Sequence, residues 1–448
     1  MKKHLVVVLS MLFVLGFAAP SFAIHAAIPG EVTDVVAPRG TEIRLGGEIR
    51  VRGWWQDNIT TPAGVMARTG RPYASPHMGW YDQRVRLFVN VRTAPNVTGR
   101  ILLETESVRW GTDDAVDAEV VVREAWVAYT GTGLLGVPSG IRLGRMPLDV
   151  GERTFFDRRV DGENAILLWV EPAKGTDINF VAAKLEEGTI RVEDDLDLYS
   201  LMLTHRLDKD NTIGANLSLE RTSDITVTPY TRTNLWNAGL LARGKVADIG
   251  YRATVDFQFG GISNLPDPPP TNVDFRGWGA TVGASYKIDP VTLRANFVYG
   301  SGDDIATDDR YEGFQTRVDA IIDPNLPTVV YNNRVITAMG DRGTGIANTT
   351  AYNLGITFSP IKGMTTHIDY YFLRASQRLS AVPNELGHSR NIGSELTLRK
   401  TYTIARGLTY SINAGILFAG DFYRDTAVSP VRVPENAKVF QHAIVFAF

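Results

Sequence analysis

Strict alternation of apolar and polar positions begins at residue 41. In TEIRLGGEIRVRGWWQD (41–57), Ile43, Leu45, Ile49 and Val51 share one face, while Arg44, Glu48, Arg50 and Arg52 share the other. The same period of two runs through VRLFVNV (85–91), NTIGANLSLE (211–220), IGYRATVDFQF (249–259) and VTLRANFVY (291–299). Side chains of a strand point alternately to its two faces, so each segment is predicted to be a β-strand of about ten residues with one apolar side. In 249–259 the apolar set is Ile249, Tyr251, Ala253, Val255, Phe257 and Phe259; the polar set is Arg252, Thr254, Asp256 and Gln258. No segment shows a 3.6-residue period, and the chain reads as all-β.

The connections carry a second pattern. TAPN (93–96), EPAKG (171–175), LDKDN (207–211), KVAD (245–248), IDP (288–290), SPIKG (359–363) and ARG (405–407) are tight turns. Between them lie long polar stretches, among them 58–79, 147–163, 260–273 and 377–389. Short turns alternating with long loops are the mark of an antiparallel up-and-down β-barrel in a membrane, whereas a sandwich has loops at both ends without that order. With 301–349 taken as one long loop the strands number about 18; 16 is the alternative, because the segments between 117 and 170 are the hardest to delimit.

A membrane barrel inverts the usual assignment of faces. Lipid takes the apolar row and a wet lumen takes the charges, since an Arg on the lipid face near the midplane costs about 2–4 kcal/mol. Extending that parity assigns Arg44, Glu48, Arg50, Arg52, Arg84, Arg86, Arg92, Arg100, Glu104, Glu106, Arg252 and Arg294 to the lumen. Aromatic girdles belong where strands leave the hydrocarbon. Trp54, Trp55, Trp80, Tyr81 and Trp110, at the ends of the first three strands, are predicted at the outer rim.

At the N-terminus Lys2 and Lys3, an apolar run from Leu5 to Phe17 and the small-residue ending Ser21-Phe22-Ala23 predict a secretory signal peptide, residues 1–23. Residues 24–40 follow as a short segment, and 41–448 as the barrel with long extracellular loops, including 301–349. The remaining sequence has no long uncharged apolar run, and the mean hydropathy of the whole chain is −0.07, so any membrane crossing is made by strands. Cysteine is absent, which removes disulfides, iron–sulfur clusters and zinc–thiolate sites.

The basic residues are 36 Arg against 10 Lys in a chain of net charge −3. Arg keeps its charge and offers a planar fork to carboxylates and phosphates. An exported, slightly acidic chain is a poor nucleic-acid binder, and none is expected. An Arg cluster with interspersed carboxylates suits a pore that orients anions without trapping them; the competing reading is that these charges pair across strands and stiffen the wall. The stretch RLGRMPLDVGERTFFDRRVDGEN (142–164) ends a strand and enters a loop long enough to fold inward.

Enzymatic signals are poor. No HExxH spacing occurs, and His367, on the Asp369 face of THIDYYF, lacks a serine partner in the line of the chain. The acidic groups at Asp303, Asp304, Asp308 and Asp309, and at Glu193, Asp194, Asp195 and Asp197, lack a calcium-loop pattern. No catalytic residue, metal or cofactor is expected.

Three stretches resemble the alginate-export-type family of outer-membrane barrels: GIRLGRMPLDVGERTFFD (140–157), YGSGDDIATDDRYEGF (299–314) and GSELTLRKTYTIARGLTYSINAGILFAGDF (393–422). That resemblance implies an eighteen-stranded monomer with an Arg-lined pore for an acidic polysaccharide, Arg142 and Arg145 in the lumen or at its rim, and Ser301 to Asp304 opening an extracellular loop. TEIRLGGEIRVRGWW with its Trp-opened second strand also resembles trimeric general porins of anaerobic Gram-negative bacteria. The ending AKVFQHAIVFAF, with Phe446 and Phe448, resembles the assembly signal of outer-membrane proteins.

The expectation is a bacterial outer-membrane channel for passive diffusion of small anionic solutes, monomeric or homotrimeric. Its partners are outer-membrane lipid, lipopolysaccharide and the barrel assembly machinery. The rivals are an alginate-export-like polymer channel, an outer-membrane enzyme, and a plugged structural or adhesive barrel.

Overall fold

The computed structural model describes residues 33–37, 40–59, 77–111, 118–132, 136–188, 194–224, 231–264, 272–303, 309–318, 325–333, 345–380, 386–424 and 434–448. The expected signal peptide lies outside them.

Eighteen strands make the wall. They are β1 (Thr41–Asp57), β2 (His77–Ala94), β3 (Val97–Thr105), β4 (Val120–Gly131), β5 (Ser139–Met146) and β6 (Glu163–Ala173). Next come β7 (Thr176–Glu186), β8 (Leu196–Arg206), β9 (Thr212–Asp224), β10 (Thr231–Val246), β11 (Ile249–Ser263) and β12 (Trp278–Ile288). The last six are β13 (Val291–Gly300), β14 (Thr349–Phe358), β15 (Met364–Ala375), β16 (Asn391–Ala405), β17 (Leu408–Ala419) and β18 (Ala437–Ala447). Each pairs antiparallel with the next, and β1 closes the ring on β18 from Glu48↔Ala447 to Asp57↔Lys438. Closure removes every free edge, which is the condition for strands to cross hydrocarbon. The expected strand number of about 18 is met.

The turns at one end are short for local chemical reasons. In the β8–β9 turn the Asp208 carboxylate accepts from the backbone N–H of Asp210 (2.8 Å) and Asn211 (2.9 Å) and from the Asn211 side chain. Those donors, the Asn211 amide first, hold its carboxyl below the usual range.

The two faces of the wall answer the alternation. Ile49, Leu87, Ile101, Leu217, Phe257 and Leu354 are exposed on the outside, while Arg50, Arg52, Arg84, Arg86, Thr254 and Asp256 are buried inside. An apolar outside around a polar inside is the transmembrane barrel's arrangement and the reverse of a soluble protein's.

The buried apolar cluster joins inner-face residues of the wall to residues of the connections. Leu148, Val150, Phe155 and Phe156 of the β5–β6 loop meet Phe314, Leu326, Val329, Val330, Tyr331 and Ile346 of the β13–β14 connection. A small sheet joins them: Asp149–Val150 pairs antiparallel with Phe156–Asp157, which pairs in parallel with Arg317–Val318. Backbone amides that would otherwise be orphaned among apolar side chains are satisfied in this way. Of 301–349, expected to form an extracellular loop, 314–318 and 325–333 lie against inner-face residues of the wall, whereas Arg310–Tyr311 pairs with Asp274–Phe275 of the β11–β12 connection.

Candidate functional site

The inner wall of β1 to β5 carries a continuous charge network. Arg52 binds Asp82 through Nε (3.0 Å to Oδ1) and Nη2 (2.9 Å to Oδ2), and Trp54 Nε1 donates to the same carboxylate at 2.8 Å. Arg50 donates to Ser107 Oγ (2.7 Å) and stands 3.7 Å from Asp82. One step along the wall, Arg84 reaches Glu48 at 2.6 Å, and Glu104 gathers Arg86, Arg84 (3.7 Å) and Arg123 (3.0 Å). Arg123 also binds Asp161 at 2.7 Å, tying the β5–β6 loop to the wall.

Aromatic rings interleave with these guanidinium groups. Arg52 lies over Trp54 (4.7 Å), Arg109 over Trp80 (4.2 Å), Arg100 over Phe88 (4.5 Å) and Arg142 over Trp126 (4.3 Å). Arg100 also pairs with Glu124 at 3.1 Å. Away from the short-turn rim, Arg50, Arg52, Arg84, Arg86, Arg100, Arg123 and Arg142 meet the wall carboxylates Glu48, Asp82, Glu104 and Glu124, and Arg123 also meets Asp161 and Glu106.

Across the ring, the folded-in loops are pinned to β9 and β11. Arg317 makes a bidentate pair with Glu220 of β9 (2.9 and 2.7 Å). Gln258 of β11 exchanges two hydrogen bonds with the Gln315 backbone, both 2.8 Å, and the Thr154 and Thr254 hydroxyls meet at 3.1 Å. Burial pushes the half-buried Asp149 carboxyl of this loop above its usual range, against the Arg159 guanidinium; Asp157 adds to the rise. The β5–β6 loop, expected as one that could turn inward, does so.

Several expected positions shift. Trp54 and Trp80 were assigned to the outer rim, but they share the inward parity of Arg52 and Asp82 and stack there, ring centroids 5.3 Å apart. Trp55, Tyr81 and Trp110 point outward, with Tyr81 stacked on Trp110 at 5.4 Å. Arg44 and Arg92 have the inward parity yet sit at the short-turn rim, half-exposed and shared by Glu42. Glu106 is largely exposed beyond the end of β3, 3.6 Å from Arg123. Arg145 takes the outward parity at the long-loop end and donates to the Asp161 carbonyl at 2.9 Å, whereas Arg142 faces in. Arg252 is on the inner face of β11, and Arg294 on that of β13. Phe446 and Phe448 are exposed on the outside of the closing seam, 5.6 Å apart.

The His367–Asp369 pairing does not form. His367 Nδ1 bonds the Thr357 hydroxyl at 2.8 Å, and Asp369 is taken by Arg294 and Arg399, both at 2.9 Å. Asp195 and Asp197 converge on Lys184, the latter at 3.2 Å, so that acidic group already has its cation. Among the described residues no cluster of His, Asp or Glu is arranged to hold a metal ion.

Sequence reasoning missed Asp82, Glu124, Glu220, Glu395 and Arg399, all of which the same parity would have reached. Arg123 sits where the β3–β4 register shifts, and Arg317 lies in a loop; neither had a periodic signal.

Solved structures share this architecture. OpdL of Pseudomonas aeruginosa superposes with a TM-score of 0.55 at 10% identity, over 91% of this chain and 98% of that one. OpdK of the same organism, solved with vanillate, gives 0.53 at 11% over 90% and 98%, and OccK11 (OpdR) gives 0.53 at 10% over 91% and 96%. The fold is that of an outer-membrane porin. At these identities the likeness is one of fold. No protein-family model and no curated protein matches the sequence. The expected alginate-export-type relationship is not confirmed; the similar structures named above are Pseudomonas porins.

Proposed function

We propose that this porin-fold chain is a passive outer-membrane channel for small hydrophilic anions, with the β1–β5 wall as its selective surface. The observation that carries the reading is the set of seven inward arginines there against six carboxylates, Asp161 and Glu106 beside Arg123 included. Fixed charge on a low-dielectric wall focuses the field on a narrow passage and concentrates counter-ions in it. The carboxylates hold the guanidinium groups in place, and the unneutralised remainder sets the sign. Carboxylates are the favoured solute class, because the Arg fork matches them. OpdK was solved with vanillate, an aromatic carboxylate, and the same chemistry is the first to try here. Inward folding of two loops favours a small solute over a polysaccharide. The exposed apolar outside is the surface for outer-membrane lipid.

The test is single-channel recording in a planar bilayer under a salt gradient. Replacing Arg50, Arg52, Arg84 and Arg86 with Ser is expected to move the reversal potential toward cation permeation in a barrel that still folds. An unchanged reversal potential would remove these arginines from selectivity. A silent bilayer with folded wild-type barrels would leave the plugged-barrel reading.

A further inference from the structure

Three consecutive backbone N–H groups end on one side chain. Glu395, on the inner face of β16 and fully buried, accepts from Val329 (2.5 Å) and Val330 (2.8 Å) through Oε1 and from Tyr331 (2.8 Å) through Oε2. Tyrosine hydroxyls also tie the segment 325–333 to the wall. The Tyr371 hydroxyl of β15 donates to the Pro327 carbonyl at 3.2 Å, and the Tyr331 and Thr349 hydroxyls meet at 3.2 Å. Apolar contact at a glycine of β17 adds to these ties. A Cβ added to Gly415 would stand 2.8 Å from Val330 Cγ2 and 3.1 Å from Val329 Cβ, so only glycine lets the segment lie this close.

This arrangement is unequal in a useful way. Hydrogen bonds to an ionised acceptor are roughly twice as strong as neutral ones, and here three share one acceptor group. An uncharged residue at 395 would leave buried N–H groups without an anionic partner, which favours a segment that turns away to find other partners. We propose that Glu395 is the positioning residue that keeps the channel open: its carboxylate latches 325–333 against β15–β17, and without it the segment swings into the passage. The inference rests on the channel reading above, and the latch itself is measurable apart from conduction.

The chain has no cysteine, so an engineered pair reports cleanly. Val330→Cys with Thr397→Cys, the residue paired across the ladder with Gly415, leaves the glycine in place and sets two thiols within the span of a short bis-methanethiosulfonate reagent. With Glu395 intact, that reagent is expected to link the pair in high yield in the refolded barrel. Adding Glu395→Gln is expected to slow linkage about tenfold, the population change that follows loss of one charge-assisted bond. In single-channel traces Glu395→Gln alone is expected to give brief partial closures absent from the wild type. Linking the cysteine pair in that background should suppress them, and a reductant, which cleaves the reagent's disulfides, should restore them.

Equal linkage rates with and without Glu395→Gln would overturn the latch, as would wild-type traces from a folded Glu395→Gln barrel. Should Glu395→Gln fail to fold, Gly415→Ala lifts the segment while leaving the carboxylate in place. It is expected to produce the same closures, and quiet traces from it would equally overturn the proposal. A silent wild-type bilayer with a Glu395-dependent linkage rate would overturn the channel reading and keep the latch.

Discussion

Asp82 is where the role of the inner charges is most directly separable from their contribution to folding. It is about 1% exposed and accepts from Arg52 at two atoms and from Trp54 Nε1, with Arg50 3.7 Å away. Asp82→Asn keeps the shape and one acceptor oxygen but removes a unit of negative charge, leaving seven arginines over five carboxylates. Removing one partner of a buried pair costs about 3–5 kcal/mol where water is excluded. This wall faces a lumen that admits water, and Arg52 retains some exposure, so the expected loss of barrel stability is about 1–3 kcal/mol. For an anion passing about 8 Å from the site, a unit charge is worth about 0.5–2 kcal/mol at an effective dielectric constant between roughly 80 and 20. Local anion occupancy should then rise about 2- to 30-fold.

The assay is reversal potential in a salt gradient, with urea unfolding of the same preparation. Asp82→Asn is expected to be less stable and more anion-selective, and the selectivity gain should shrink in concentrated salt as the Debye length falls below the pore radius. Adding Arg50→Ser should return selectivity toward the wild type. A folded Asp82→Asn barrel with unchanged or more cation-favouring permeability would refute the reasoning, because the charges would then be stiffening the wall alone.

Three other expectations follow from different parts of the molecule. Leu354, 68% exposed on the outside of β14, should resist Leu354→Arg, with folding into lipid vesicles weakened by about 2–4 kcal/mol; full tolerance would take that belt out of the hydrocarbon. Glu220→Arg should detach the loop held by Arg317, seen as greater protease access to 309–318, and Arg317→Glu in the same chain should restore protection. Because burial raises the Asp149 carboxyl in the folded state, its stabilising contribution is complete below the ordinary carboxylate range and is lost as pH rises through the raised value. Unfolding measured against pH should show that component in the wild type and lack it in Asp149→Asn.

Legibility in the sequence tracked periodicity. Strands such as 249–259 declared themselves because lipid on one side and water on the other impose alternate chemistry at every position. The inner placement of Arg50, Arg52, Arg84 and Arg86 came from the same rule, which would also have placed Trp54 and Trp80 beside them. Taking an aromatic residue at a strand end as a girdle residue overrode the parity, and parity was the sounder guide. The apolar core of Phe155, Phe156, Phe314 and Val330 was hidden for the opposite reason. Those residues belong to loops with no repeating geometry, and they become a core only when two connections about 160 residues apart in the chain meet inside the barrel. Glu395 has the correct parity, but its role depends on that meeting.

Pairing and selectivity, set against each other as readings of the inner charges, become one device once the geometry is known. An unpaired guanidinium on a long flexible stem would follow a passing anion and hold it. Arg52, Arg84 and Arg86 cannot do so, because each is fixed by a carboxylate on a neighbouring strand or its own. Among the described residues Arg142, set over Trp126, has no direct carboxylate contact and Arg50, bonded to Ser107, stands 3.7 Å from Asp82, so both keep more of their charge for the lumen. On the proposed channel reading a solute meets a positive field whose sources do not reorganise, which attracts it without a deep local well. Shallow and successive sites are what rapid passage demands, since binding must be strong enough for entry and weak enough for exit.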